Sequence, residues 1–270
     1  MLLISQVLSE LDSTCALIPF ITAGYPNLDS TIEALHILDQ KGANIIELGI
    51  PYSDALADGP VIQESSRVAL EQGMYIDQVL YIVKKVSPTL KAPIVVFTYY
   101  NPILSRGITQ FVQEIAQAGA KGLIVPDLPL EEADYLIKLC SDNKIELILF
   151  VAPTSSKERI GAIVAKSPGC IYLVSSNGVT GTRDNIELEI HELAKSIKQN
   201  TSKLVILGFG ISNAEQAAKI AQWDIDGIVM GSAFINKLSE GNLSNGYTNF
   251  SHFCEEIKLA IKTGVTAKKI

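Results

Sequence analysis

Several things are missing from this sequence, and each absence excludes a class of protein. There is no Cys-x-x-Cys pair: Cys15, Cys140, Cys170 and Cys254 lie far apart. That predicts reduced, mostly buried thiols of an intracellular protein, not a disulfide scaffold or a zinc site. No basic run exceeds two residues (Lys84-Lys85, Lys268-Lys269), and the net charge is −7. Nucleic acid and anionic membrane surfaces are therefore not expected partners. No apolar run reaches the roughly 20 residues of a membrane span. The first residues, Met-Leu-Leu-Ile-Ser-Gln-Val-Leu-Ser-Glu, lack a basic start and a cleavage site, and read as a short amphipathic helix. Only three histidines occur (His36, His191, His252), each within a helical pattern. They read as helix-face residues, which argues against a metal or histidine-based site.

What is present is an alternation of strand-like and helical patterns. Near-continuous Val/Ile/Leu runs occur at Leu17–Ala23, Asn44–Ile50, Pro93–Tyr100, Gly122–Pro126, Ile145–Ala152, Cys170–Ser176, Lys203–Phe209 and Gly227–Met230. Such runs suit parallel strands buried on both faces. Between them apolar residues recur at helical spacing, as in Ile32/Leu35/His36/Leu38 and Phe111/Ile115/Ala118. Eight strand–helix units in 270 residues predict a single (β/α)8 TIM barrel over residues 1–270. An extra N-terminal helix and additional helices after strands two and eight are expected, Asp77–Val86 among them. The alternative, an open doubly wound sheet, usually has Gly-x-Gly-x-x-Gly after its first strand. Here that turn reads Thr22-Ala23-Gly24-Tyr25-Pro26.

A barrel of this kind works at the C-terminal ends of its strands. Residues 47 to 60, Glu-Leu-Gly-Ile-Pro-Tyr-Ser-Asp-Ala-Leu-Ala-Asp-Gly-Pro, lie at one such end. Strand alternation puts Glu47 on one face with Ile45 and Gly49, opposite Ile46, Leu48 and Ile50. A carboxylate in an apolar strand is costly unless paired or functional. Asp58 follows in a loop, and two carboxylates in unlike settings suit divided acid and base roles. The structural alternative is a strand-end ion pair at Glu47 and a helix N-cap at Asp58. Three later loops carry glycines: Asn177–Gly181, Gly208–Ser212 and Gly231–Ala233. Glycine-lined amides and the helix start near Ser232 predict a phosphate cradle. Lys91, Lys121, Lys144 and Lys203 all sit at strand beginnings, so a Schiff-base nucleophile is lacking. Hydroxyls such as Tyr99, Tyr172 and Thr180 complete the candidate set.

The chain resembles the tryptophan synthase alpha subunit over nearly its whole length. Pro19–Gly24, Glu47–Pro60, Thr98–Ile103, Val125–Pro129, Gly178–Gly181 and Gly208–Ile211 carry the resemblance. The first two stretches are highly specific, whereas the glycine loops alone would not be. One departure stands out: Ala55 occupies the place of a proline in the family's Ser-Asp-Pro-Leu-Ala-Asp-Gly-Pro. Both carboxylates survive, but proline fixes φ and alanine does not, so a more loosely held loop is expected.

The resemblance implies retro-aldol cleavage of indole-3-glycerol phosphate to indole and glyceraldehyde 3-phosphate, a lyase reaction of tryptophan biosynthesis. It implies Glu47 as the proton shuttle and Asp58 as the partner of the indole N–H. Phe20 and Phe209 would wall the indole, with Tyr99 in the substrate set, and Tyr172 and Thr180 would orient the carboxylates. Gly181, Gly210, Gly231 and Ser232 would hold phosphate. No metal and no cofactor is implied in this chain. Pyridoxal phosphate would belong to a beta-subunit partner in an alpha-beta-beta-alpha heterotetramer, contacted through the loops after strands two and six, including Asp54. The compartment would be cytoplasm or plastid stroma. Rival readings are a free-standing lyase that releases indole, a sugar-phosphate epimerase, which usually needs metal-ligating histidines at strand ends, and a catalytically silent regulatory barrel.

Overall fold

A computed structural model describes residues 3–11, 15–174, 183–208, 210–240 and 243–268. Eight strands form: β1 (Ala16–Thr22), β2 (Ile46–Gly49), β3 (Ile94–Phe97), β4 (Gly122–Ile124), β5 (Glu146–Val151), β6 (Cys170–Val174), β7 (Leu204–Gly208) and β8 (Gly227–Met230). They close into a barrel in chain order, and every neighbouring pair is parallel. The helices are α1 (Ile4–Glu10), α2 (Leu28–Gln40), α3 (Pro60–Glu71), α4 (Ile76–Val86), α5 (Tyr100–Arg106), α6 (Ile108–Ala118), α7 (Ala133–Asp142), α8 (Lys157–Lys166), α9 (Arg183–Asn200), α10 (Ala214–Ile220), α11 (Ser232–Ser239) and α12 (Leu243–Lys268). The TIM barrel read from the sequence is the fold observed. Helix α1 and the paired helices after β2 (α3, α4) and β8 (α11, α12) are the additions it anticipated.

Alternation along the strands builds two apolar layers. Leu17, Ile21, Ile46 and Leu48 face the surrounding helices, while Ala16, Ile18, Ile45 and Val95 fill the barrel interior. Both layers are closed to water, which is why the strands read as unbroken apolar runs. The four cysteines are buried within them. Helix α1 plugs the lower end of the barrel with Ile4 and Leu8, spaced one turn apart and joined to the interior layer. Burying each contributes roughly 1.5–3 kcal/mol. The plug is oriented by Glu146 at the start of β5, whose Oε2 accepts from the Ser5 N–H at 2.9 Å and the Ser5 hydroxyl at 2.8 Å.

The structure corrects one stretch of the sequence reading. The third strand ends at Phe97, not Tyr100. Tyr99 is extended but caps helix α5, and the Tyr100 N–H is taken by Asp127 Oδ1 at 2.8 Å. Pro102 falls in the first turn of α5, where a missing N–H costs little. Gly107, at φ +93°, then separates α5 from α6, a backbone state that side chains rarely adopt. The result is a second helix between β3 and β4 that apolar periodicity alone did not reveal.

Candidate active site

Glu47 stands where strand parity put it, inside the barrel near its upper end. Its register neighbours are Phe20 of β1 and Val95 of β3. It is 1% exposed, and its Oε1 has no hydrogen-bond partner among the described residues. Among the described residues Glu47 forms no ion pair, the alternative considered for it. Burial alone pushes its carboxyl up from 4.5 to about 8, because the charged form loses its water without gaining a partner.

Asp58 is held differently. Helix α3 begins with Gly59 at its N-cap and has no side-chain cap, so Asp58 is not spent on the helix terminus. The Tyr99 hydroxyl is the neighbour that acts on the Asp58 carboxyl. Burial pushes it up to about 6, and the Tyr99 hydrogen bond pulls in the opposite direction. Hydrogen bonds cross the loop that carries Ala55. Ala55 is buried, and its carbonyl accepts from the Asp58 N–H at 3.1 Å. The Ala57 N–H donates to Tyr99 Oη at 3.0 Å. The Gln63 amide donates to the carbonyls of Ala55 at 3.3 Å and Asp58 at 3.0 Å.

The aromatic walls depend on two glycines. A methyl at Gly49 would lie 2.6 Å from Phe20 Cζ, and one at Gly208 would lie 2.6 Å from the Tyr172 hydroxyl. Both rings therefore lie over bare backbone at strand ends. Phe20 meets Phe97 edge to face at 5.5 Å, and Phe97 meets Tyr99 edge to face at 6.2 Å. Tyr172 packs on Phe150 at 4.6 Å. Its hydroxyl is held far above its usual range, first by burial and then by the neighbouring Glu47 and Asp58. Gly231 adjoins Phe20, and Ser232 opens helix α11. Gly210 is exposed at φ +64°, with open space where a side chain would stand. The described members of the candidate set thus lie at the upper ends of the strands or in the loops that follow them, and direct contacts join several of them. Thr180, Gly181 and Phe209 lie outside the described residues.

The family model for the tryptophan synthase alpha chain matches residues 8–262. This chain belongs to that family. It is 60% identical over 266 residues to the tryptophan synthase alpha chain of Gracilaria tenuistipitata var. liui, covering 98% of this chain and 99% of that one. To the Antithamnion alpha chain it is 58% identical, covering 96% and 98%. The solved alpha subunit from Legionella pneumophila superposes with a TM-score of 0.86 at 32% identity, covering 95% of this chain and 97% of the other.

Sequence reasoning missed Phe97 and Gln63. Phe97 was findable, since it shares parity with Val95 and so points inward beside Gly49, its register partner. Gln63 carried no signal: only the folded loop shows which carbonyls its amide reaches.

Proposed function

We propose that this chain cleaves indole-3-glycerol phosphate to indole and glyceraldehyde 3-phosphate, the alpha reaction of its family. The observation that carries the proposal is the contrast between the two carboxyls. Glu47 holds its proton up to about pH 8, while Asp58 loses its proton above about pH 6. In the interval one is an acid and the other an anion.

The chemistry needs that division. Glu47 gives its proton to C3 of the indole ring, making an indoleninium ion. As a carboxylate it then takes the proton from the glycerol hydroxyl at the carbon bonded to C3. The carbon–carbon bond breaks, its electron pair returns to the ring, and the hydroxyl carbon becomes the aldehyde. Asp58, ionised, accepts the indole N–H and stabilises the positive charge as it develops. Its partial burial strengthens that interaction, since a lower local dielectric screens less. Phe20 walls the indole and Tyr172 orients the carboxylates. Gly210, Gly231 and the start of α11 at Ser232 offer backbone amides to the phosphate. Thr180, Gly181 and Phe209 keep the roles that the resemblance implies.

The family's beta subunit, which carries pyridoxal phosphate, is the proposed partner in an alpha-beta-beta-alpha assembly. Supporting this, Leu56 on the Asp58 loop is 92% exposed, next to exposed Asp54. Among the described residues no helix is long and apolar enough to cross a membrane. The proposed location is the cytoplasm or the plastid stroma. The deciding experiment is indole release from indole-3-glycerol phosphate by the isolated chain, with and without a beta subunit. No cleavage under either condition would overturn the proposal.

A further inference from the structure

Asp58 sits on a turn with little apolar anchoring. Leu56 points into solvent, and Ala55 is the one buried side chain between Ser53 and Gly59. The turn closes on itself through Asp58 N–H to Ala55 O at 3.1 Å. Two side chains from other elements grip it. From α3, the Gln63 amide reaches the carbonyls at both ends of the turn, Ala55 O at 3.3 Å and Asp58 O at 3.0 Å. From the N-cap of α5, the Tyr99 hydroxyl accepts the Ala57 N–H at 3.0 Å and stands beside the Asp58 carboxyl, whose pKa it lowers against the effect of burial. A hydroxyl that accepts can still donate, so its one proton is left for the neighbouring carboxyl. Tyr99 can serve as a fixed post because it is 3% exposed, packed on Tyr52 at 5.3 Å and met edge-on by Phe97.

We propose that Gln63 and Tyr99 are positioning residues that together fix the Asp58 carboxylate at the barrel mouth. Gln63 gathers the two carbonyls that bracket the turn, and Tyr99 holds the N–H between them with its hydroxyl beside the carboxyl. Neither needs to touch substrate. Phe20 and Tyr172 line the mouth, whereas the Tyr99 hydroxyl is committed to the loop. The inference rests on the reading of Asp58 as a site residue, but the clamp itself is measurable without turnover. Asp58 interacts with Tyr99 and, across the mouth, with Tyr172 beside Glu47, while Asp127 acts on Tyr99 from the β4 side.

The test uses the full chain. The Asp58 carboxyl is titrated by carbon-13 NMR in the wild type, Tyr99→Phe and Gln63→Met, with thermal unfolding as a control for folding. Tyr99→Phe removes the hydroxyl that lowers the Asp58 pKa, so the Asp58 midpoint should rise by roughly one pH unit. Gln63→Met keeps the helix former and the length but removes both donors. It should speed hydrogen exchange at the Asp58 and Ala57 amides several-fold. If folded variants leave both the midpoint and the exchange unchanged, the clamp does not exist. Activity then separates the clamp from the reading beneath it. Each substitution should lower kcat more than it raises KM in the wild type, and should cost nothing further in an Asp58→Asn background. Equal losses in both backgrounds would mean the two residues act elsewhere. Full activity of Asp58→Asn alone would remove Asp58 from the chemistry, while the NMR titration and amide exchange would still decide whether the clamp exists.

Discussion

Replacing Glu47 by glutamine should abolish cleavage and, at neutral pH, make the protein more stable. Folding holds the Glu47 carboxyl at about 8, against 4.5 for an unburied one. Below pH 4.5 both folded and unfolded chains carry the proton, and the residue imposes no ionisation cost. Between the two values the unfolded chain releases a proton that the folded chain keeps. Stability then falls as pH rises, by about 1.4 kcal/mol per pH unit for one such group. Above about 8 the folded chain ionises as well and the loss levels off. Glutamine does not titrate, so the Glu47→Gln protein escapes this slope. From pH 5 to pH 7 the variant should gain roughly 2.5–3 kcal/mol on the wild type. Part of any constant offset will reflect the buried amide, which also lacks partners; the pH dependence of the difference is free of it. Urea unfolding of both proteins at pH 5, 6 and 7 gives the difference directly. Curves that stay parallel across that range would show that Glu47 is not held protonated by burial. Turnover should fall by at least about 10²–10⁴-fold, the scale of a lost proton-transfer group. A variant that turns over near the wild-type rate would remove Glu47 as the shuttle.

Four further outcomes are expected. The dependence of kcat/KM on pH should be bell-shaped, with limbs near about 6 and about 8, set by Asp58 ionising and Glu47 deprotonating; a flat profile over that range contradicts the assignment. Gly210→Asp should strip affinity for a non-cleavable phosphate analogue, measured by calorimetry, because it puts a side chain at φ +64° and a negative charge into the open loop; equal affinity would make the loop a mere turn. Gly49→Ala should displace the Phe20 ring, whose Cζ would lie 2.6 Å from the new methyl, and should raise KM for the indole substrate well before it unfolds the chain; an unchanged KM argues that Phe20 walls nothing. Ala55→Pro should stabilise the loop by about 0.4–1 kcal/mol, raise the basal rate of the isolated chain and reduce activation by a beta subunit. The Leu56 N–H donates to Asp54 O at 2.9 Å, a three-residue turn centred on Ala55 at negative φ; such turns sit near φ −75°, within proline's range. A variant matching the wild type in stability, basal rate and activation would refute this.

How much of this was legible in the sequence follows from the range over which each signal acts. The barrel was legible because burial on both faces of a parallel strand leaves apolar runs, and eight of them with helices between allow few closures. Glu47 was legible for the same reason: parity along β2 needs only local geometry to point one carboxylate inward beside Ile45. Its acidity was foreseeable in direction, since nothing in an apolar strand offers a counter-charge. The third strand was overextended because Thr98, Tyr99 and Tyr100 suit strands by propensity, yet Asp127 takes the Tyr100 N–H and a helix starts there. Tertiary structure also decided what Asp58 does. In sequence it precedes Gly59-Pro60 and a helix, where an N-cap is a natural reading. Only the folded chain brings Tyr99, 41 positions on, and Gln63 from the next helix against the loop that carries that carboxylate. Phe20 and Tyr172 needed Gly49 and Gly208 beneath them, contacts between neighbouring strands that no single stretch records. Local periodicity fixed which face each residue occupies, and long-range packing chose the partners, because a hydrogen bond or a ring contact depends on distances that only the closed barrel sets.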